Sequence, residues 1–166
     1  MKKPSVYIET SVVSYLAARP SRDLIVAAHQ QLTHDWWKKD RMRFELYASQ
    51  FVLNEASSGD PEVAQLRLNL LQEISLLDMN DIAKQFSKEL LTRKIVPHKA
   101  SEDAVHIALS VVYRVDYLLT WNCKHIANLH QWRGIQQMCL AYGYSIPMMC
   151  TPEFLLGGSC VERPDC

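Results

Sequence analysis

Short apolar runs rich in β-branched and aromatic residues alternate along this chain with longer stretches whose apolar residues recur about every 3.6 positions. The first run is Ser5–Ile8, and similar runs lie at residues 43–48, 74–77, 115–120 and 145–148. Two parallel strands need a connection of a dozen or more residues, which is usually a helix. Strands that alternate with helices along the chain therefore typically pair in parallel. The order of these runs therefore predicts an α/β fold, with a central parallel sheet flanked by helices.

The stretches between the predicted strands have the apolar period and the end signals of helices. We predict helices over residues 11–16, 23–39, 50–56, 61–71, 82–91, 102–113 and 135–141, the last of which stops at Gly143. Helix-capping side chains are expected at Thr10 or Ser11, at Asp60 with Pro61 behind it, at Asn80 or Asp81, and at Ser101.

Composition limits the chain to one ordinary domain. Its 166 residues, 48% of them hydrophobic, suffice to bury a core, and we assign residues 1–156 to that domain. Residues 157–166 contain glycines, a proline and mixed charges, so we expect a mobile tail there. Eighteen basic and eighteen acidic residues give zero formal charge, so any nucleic-acid site must be local.

The compartment is predicted from what the sequence lacks. Too few apolar residues follow Met1 for a signal peptide, and no apolar run approaches the roughly 20 residues of a membrane span. We therefore expect a cytoplasmic protein with no membrane partner. The five cysteines include no C-x-x-C pair, which favours free thiols over a zinc ribbon or a disulfide framework.

A metal-capable side chain lies at each of four strand-to-helix boundaries. Glu9 directly follows the first strand, Glu55 lies in the helix after the second, Asp103 opens a later helix, and Asn122 follows residues 115–120. Such positions gather along one edge of a parallel sheet. Converging carboxylates repel one another, and a hard cation such as Mg²⁺ or Mn²⁺ relieves that repulsion. We therefore predict a metal site with Glu9, Glu55 and Asp103 as ligands.

Four segments around these residues resemble the motifs of one family. They read YIETS at residues 7–11, VLNE at 52–55, EDAVHIA at 102–108 and DYLLTWN at 116–122. In this order and spacing they resemble the PIN-domain family, and within it the ribonuclease toxins of the VapC type. The resemblance spans residues 5 to about 156. It implies a PIN-like three-layer fold, Mg²⁺ or Mn²⁺ in the acidic cluster, RNA as substrate and a small antitoxin protein as partner.

Two positions depart from the family pattern, which usually has aspartate where this chain has Glu9 and frequently has it where this chain has Asn122. Three carboxylates still remain, and an amide oxygen can also ligate a hard cation. We therefore assign the catalytic role to Glu9, Glu55, Asp103 and Asn122. Taken singly, these residues also have structural explanations, since Asp103 complements a helix dipole and Asn122 is a good helix cap.

Further polar residues are candidates for a supporting role around the carboxylates. Thr10, Thr120 and His106 are placed to hydrogen-bond the ligands or a metal-bound water, and His125 lies near Asn122. Each has a competing structural interpretation. Thr10 is a helix cap, Thr120 is a strand residue, and either histidine is a hydrogen-bonded structural side chain.

Two local clusters of basic residues are candidate RNA-binding sites. We favour Arg93, Lys94 and Lys99 over residues 38–43, because they precede Asp103 closely in sequence. The alternative is that both clusters are solvated helix ends. Trp36 and Trp37 are candidates for base stacking, although adjacent tryptophans in a helix more often place one in the core and one against a neighbour. On this basis we expect a homodimer.

Two other classes of protein stay open. One is a catalytically degenerate PIN module that acts as a protein- or RNA-binding partner, as the departures at Glu9 and Asn122 allow. The other is a receiver-like or phosphatase-like domain, which needs an acceptor aspartate directly after a central strand together with a lysine partner. Asp78 is the nearest match to that pattern and does not supply it.

Overall fold

A five-stranded parallel sheet forms the centre of the molecule. The computed structural model describes residues 2–122 and 129–158. The strands are β1 (Ser5–Ile8), β2 (Glu45–Ser49), β3 (Ser75–Leu77), β4 (Tyr117–Leu119) and β5 (Met148–Cys150). Every neighbouring pair is parallel, in the order β3-β2-β1-β4-β5. The predicted α/β class, a central parallel sheet flanked by helices, is confirmed.

Helices connect these strands. In the described part of the chain they are α1 (Thr10–Ala17), α2 (Leu24–Lys39), α3 (Gln50–Ala56), α4 (Pro61–Leu71), α5 (Asp81–Thr92), α6 (Ser101–Val112) and α7 (Leu129–Tyr142). Short 3₁₀ segments occur at Arg41–Arg43, His98–Ala100 and Pro152–Gly158.

The strand order reverses direction once, at β1. The chain runs from β1 outward to β2 and β3, then returns to place β4 on the other side of β1. Ile8 therefore lies beside Leu119 at the carboxyl ends of the two strands. In open α/β sheets the crevice at such a reversal is where ligands usually bind.

The core lies on both faces of the central strands. Val6, Tyr7 and Ile8 of β1 and Leu118 and Leu119 of β4 are fully buried. Strands covered on both faces read as continuous apolar runs, which is why these were visible in the sequence. Helix α6 is also largely buried, with eight of its 12 residues inside the protein. The buried side chains of α6, which include Asp103 and His106, are therefore held in a packed, poorly hydrated environment.

Two predicted helix caps are wrong. Helix α1 is capped by Glu9 rather than by Thr10 or Ser11, because the Glu9 carboxylate reaches forward to accept from the Ser11 backbone N–H. Helix α6 already includes Ser101, and Ala100 precedes it without any side-chain cap. The predictions for Asp60 with Pro61 and for Asn80 are confirmed.

Several strand and helix boundaries also differ from the prediction. The last strand is Met148–Cys150 rather than residues 145–148, because Pro147 has no N–H to donate and pairing with β4 begins after it. The second strand begins at Glu45, since Arg41–Arg43 forms a 3₁₀ turn. Helix α7 includes the predicted residues 135–141, begins at Leu129 and ends at Tyr142, next to Gly143.

The described cysteines, Cys139 and Cys150, are buried, and burial raises the pKa of the Cys139 thiol to about 11. Cys123, Cys160 and Cys166 lie outside the described residues, as does most of the predicted tail. Across residues 2–122 and 129–158, no helix combines the length and the apolar character needed to cross a bilayer.

Asn80 gives a direct test of the helix assignment. Its side-chain oxygen accepts from the Ala83 backbone N–H at 2.8 Å, at the start of α5. Asn80→Ala should lower the free energy of unfolding by about 1 kcal/mol, because that N–H is left without its partner. Urea unfolding followed by circular dichroism measures this change. Asn80→Asp keeps an acceptor oxygen and should retain wild-type stability, so equal destabilisation in both variants would contradict the assignment.

Candidate functional site

The predicted site residues meet at the carboxyl edge of the sheet, where the strand order reverses. Glu9 directly follows β1, and its backbone N–H donates to the Leu119 carbonyl at 3.0 Å. Glu55 comes from the last turn of α3, and Asp103 and His106 come from the first turns of α6. Thr120 directly follows β4. Several separate elements of the fold thus contribute to one small region.

Glu9 is held by hydrogen bonds to one of its two oxygens. Its Oε2 accepts from the Ser11 backbone N–H at 3.1 Å, from the Ser11 hydroxyl and from the Thr120 hydroxyl at 2.8 Å. The side chain is only 7% exposed. Within residues 2–122 and 129–158, no hydrogen bond is made to Oε1. One oxygen therefore fixes the orientation of the carboxylate, and the other is available to a cation.

The backbone after β4 is tied to the same hydroxyl groups. The Trp121 N–H donates to the Ser11 hydroxyl oxygen at 2.9 Å, and the Asn122 N–H donates to the Thr120 hydroxyl oxygen at 2.9 Å. Because each hydroxyl also donates to Glu9, the end of β4 and the start of α1 are linked through one carboxylate.

Glu55 is positioned by one side chain from α1 and one from α6. Its Oε2 accepts from the Thr10 hydroxyl of α1 and lies 3.1 Å from His106 Nε2 of α6. Burial by itself raises the pKa of this carboxyl, but the hydrogen bond and charge of His106, with the Thr10 hydroxyl, hold the pKa below its usual value. The result is a carboxylate kept ionised while three-quarters of its side chain is covered.

His106 lies between Glu55 and a buried tyrosine. Its Nδ1 is 2.8 Å from the Tyr7 hydroxyl, which is in turn 2.7 Å from the Ser49 hydroxyl. The histidine side chain is 1% exposed. Burial lowers its pKa, but the hydrogen bond to Glu55 and the charges of Glu9, Glu55 and Asp103 raise the pKa above its usual value overall. This histidine is embedded in the acidic site.

Asp103 joins the group through Asn122. The Asn122 side-chain amide donates to Asp103 Oδ1 at 3.2 Å, and Asp103 is 8% exposed. The amide of Asn122 therefore orients a carboxylate, while its backbone N–H is held by Thr120. Asn122 thus connects Asp103 to the hydroxyl that holds Glu9.

Glu102 is an additional acidic residue beside the site. Its carboxyl group hydrogen-bonds Glu55, and this contact, together with the charge of Glu55, raises the pKa of Glu102. Two carboxyl groups in contact share a proton more readily than they both ionise. Glu102 was recognised in the sequence only as part of a motif, because an exposed glutamate in the first turn of a helix is ordinary.

The donor set fits a divalent cation. Glu9, Glu55 and His106 each offer one ligand atom, and these atoms all lie within 4.8 Å of one another. Among the described residues, this group contains His106 where the sequence predicted Asp103 as the third ligand. Carboxylate oxygens of this kind suit Mg²⁺ and Mn²⁺, and a cation would offset the mutual repulsion of the carboxylates.

The hydroxyl and phenol groups around the site were not all identifiable in advance. Thr10 and Thr120 each contact a carboxylate, as their candidate supporting role requires. Ser11, Tyr7 and Ser49 were missed. Ser11 had a signal, since it follows Glu9 by two residues, but Tyr7 lies within an apolar strand and reads as core. His125 lies outside the described residues.

Some of the basic and aromatic residues proposed to bind RNA already have a role within the fold. Arg93 pairs with Glu89 at 2.9 Å, and Lys94 ends α5 in the left-handed backbone region, with φ of 55°. Lys99 is exposed in the 3₁₀ turn that leads into α6. Of the two tryptophans, Trp36 is fully buried, and the guanidinium of Arg41 lies 4.7 Å from the ring centre of Trp37.

A cavity of about 500 Å³ adjoins the acidic group, and Glu9 and Asn122 are among its lining residues. Trp121 forms part of its wall and stacks on His29, with ring centres 4.1 Å apart. The Trp121 indole N–H donates to the Thr33 hydroxyl at 2.8 Å. These contacts fasten the backbone that carries Asn122 to helix α2.

Comparison with protein-family profiles and with curated proteins gives no match. Among solved structures, a chain in the crystal structure of VapBC2 from Rickettsia felis bound to a DNA fragment from their promoter has a similar fold, with a TM-score of 0.56. The alignment covers 88% of this chain and 97% of that one, at 13% identity. At that identity the similarity concerns the fold. The chain has a PIN-like α/β fold, in agreement with the resemblance of its four motifs.

Proposed function

We propose that this protein is a metal-dependent endoribonuclease that hydrolyses phosphodiester bonds of RNA. The observation that carries the proposal is the convergence of Glu9 and Glu55, with His106, at the carboxyl edge of the sheet where the strand order reverses. Asp103 is connected to this group through Asn122 and Thr120. The PIN-like fold supports the proposal, since it places the acidic group where open α/β sheets bind ligands.

In this proposal Glu9, Glu55 and Asp103 hold Mg²⁺ or Mn²⁺. Such a cation polarises a phosphodiester oxygen and lowers the pKa of a bound water. The remaining residues prepare the site for it. Ser11 and Thr120 orient Glu9, Thr10 and His106 orient Glu55, and Asn122 orients Asp103. These partners come from different elements of a packed core, so the carboxylates are organised before the substrate arrives.

The biological context we propose is a toxin-antitoxin pair, with a small antitoxin protein as partner. The support is that the similar solved structure is a VapBC2 complex. We also propose that the protein is a homodimer. A small open reading frame adjoining the gene, whose co-expression relieves growth inhibition by this protein, would establish the pair.

Asp103 provides the main test of the reaction. Asp103→Asn should reduce cleavage of single-stranded RNA in Mg²⁺ or Mn²⁺ by about 100-fold or more, since even partners behind the ligands typically contribute 10- to 100-fold. The fold should be retained, because asparagine keeps an acceptor oxygen for Asn122. The measurement is gel analysis of a labelled oligonucleotide, with circular dichroism of both proteins.

Asp81 is the matched control for that substitution. It lies in the first turn of α5 and is fully exposed, so Asp81→Asn removes the same charge from the first turn of another helix, outside the site. Cleavage should remain at the wild-type level. Activity that persists in excess EDTA, or in folded Asp103→Asn protein, would contradict the mechanism. Wild-type protein that binds metal but cuts no RNA would instead indicate a binding module.

Asn122→Asp tests whether the fourth position faces the cation. The added carboxylate should raise Mn²⁺ affinity several-fold and should lower stability without metal, because it would repel Asp103 where Asn122 now donates to it. Calorimetric titration and urea unfolding measure the two effects. Asn69→Asp, which adds a charge on the exposed surface of α4, is the control. Reduced stability with unchanged affinity would restrict Asn122 to positioning Asp103.

The cation cluster before α6 is tested by RNA affinity. In the Asp103→Asn background, combined Arg93→Ala, Lys94→Gly and Lys99→Ala should weaken RNA binding and reduce its salt dependence, by about one unit of slope for each phosphate that is no longer neutralised. Glycine is chosen at Lys94 because of its positive φ. Lys38→Ala with Lys39→Ala probes the competing cluster. A larger decrease in affinity in that second variant would move the RNA site to α2.

A further inference from the structure

We propose that His106 is itself a ligand of the cation in this site, which makes the site selective for Mn²⁺ over Mg²⁺. The inference rests on the proposed metal site and extends it from an all-oxygen donor set to one that includes nitrogen. It also changes the role of Tyr7 and Ser49, which become the partners that hold a ligating imidazole.

The separation of His106 from Glu55 is the first support. Two ligand atoms at right angles on an ion with bonds of about 2.1 Å lie about 3.0 Å apart. His106 Nε2 and Glu55 Oε2 are 3.1 Å apart. The pair therefore already has the spacing of neighbouring ligands, and its hydrogen bond is what two ligand atoms form when no ion lies between them.

The position of Glu9 is the second support. The ligand atoms of Glu9, Glu55 and His106 lie within 4.8 Å of one another, and opposite ligands on the same ion are about 4.2 Å apart. A small side-chain movement at any one of them closes the difference. Glu9 has Oε1 available for this, because its hydrogen bonds to the described residues are all made by Oε2.

The Tyr7 hydroxyl explains how the imidazole can serve in both states. Without a cation, Nε2–H donates to Glu55, while Nδ1 accepts from Tyr7 in the neutral ring or donates to Tyr7 in the protonated ring. With a cation on Nε2, the proton belongs on Nδ1, which then donates to the Tyr7 oxygen while Tyr7 donates to Ser49. Hydroxyl groups can donate or accept, so the chain of contacts at 2.8 and 2.7 Å accommodates either tautomer. Ligating histidines generally have such a partner on their other nitrogen.

The metal preference follows from ligand chemistry. Mg²⁺ favours oxygen ligands and gives up its water reluctantly, whereas imidazole binds first-row transition metals, among which Mn²⁺ is held most weakly but still more readily than Mg²⁺. A set of carboxylates that also includes one imidazole therefore discriminates in favour of Mn²⁺ over Mg²⁺. An all-carboxylate set at the same place would bind Mg²⁺ and Mn²⁺ more evenly.

The test is pulsed electron paramagnetic resonance of Mn²⁺ bound to the full-length wild-type protein. Directly coordinated ¹⁴N should be detected, and it should disappear in His106→Gln, whose amide oxygen replaces the nitrogen donor. In calorimetric titrations, His106→Gln should lower the ratio of Mn²⁺ to Mg²⁺ affinity by about tenfold or more. Tyr7→Phe should keep the ¹⁴N coupling but weaken Mn²⁺ binding, because Nδ1 is left without its partner.

Each outcome distinguishes the inference from the proposed function. Mn²⁺ bound without coordinated nitrogen would overturn the inference and leave His106 as a hydrogen-bond partner of Glu55, while RNA cleavage could still occur. Coordinated nitrogen in a protein that cuts no RNA would uphold the metal site and reject the nuclease. The wild-type spectrum alone decides between ligand and hydrogen-bond partner, so the inference stays testable even if His106→Gln fails to fold.

Discussion

The parallel pairing of β1 with β4 brings together the two strand ends on which the site depends. β1 pairs with β2 on one side and with β4 on the other, so the carboxyl end of β1 faces the gap between the two halves of the fold. The Glu9 N–H completes this pairing by donating to Leu119. Glu9 and Thr120 are consequently neighbours, although they are 111 residues apart in the chain. Helices α3 and α6 then supply Glu55, Asp103 and His106 from the sides.

The hydroxyl groups around the carboxylates offset part of the free-energy cost of burying those carboxylates. Burying several acidic groups together costs free energy through lost hydration and mutual repulsion. Thr10, Ser11 and Thr120 replace part of the lost hydration, since each donates a hydrogen bond to a carboxylate oxygen. These donors do not remove the repulsion between the carboxylates. A bound cation would relieve the repulsion that remains. An arrangement of this kind is consistent with the proposed metal site.

The departures from the family pattern acquire a structural meaning in this setting. Glu9 is one methylene longer than aspartate, and its carboxylate both caps α1 and faces the site. Asn122 donates through its amide to Asp103, which a carboxylate at that position could not do when ionised. Both substitutions therefore have compensating contacts. The carboxylates of Glu9 and Asp103 therefore remain oriented by hydrogen bonds despite the two departures.

The sequence by itself determined the fold class and indicated which acidic residues follow strand ends. Buried strands read as apolar runs, helices were evident from their period, and the acidic residues followed strand ends, because all of these are local consequences of backbone geometry. The sequence also predicted that Glu9 and Glu55 are neighbours, because the carboxyl ends of parallel strands lie at the same edge of a sheet. Only the tertiary structure decided that His106 meets Glu55, that Tyr7 and Ser49 stand behind it, and that Glu9 rather than Thr10 caps α1. Those contacts depend on side-chain direction across separate elements, and residue spacing along the chain carries no information about it.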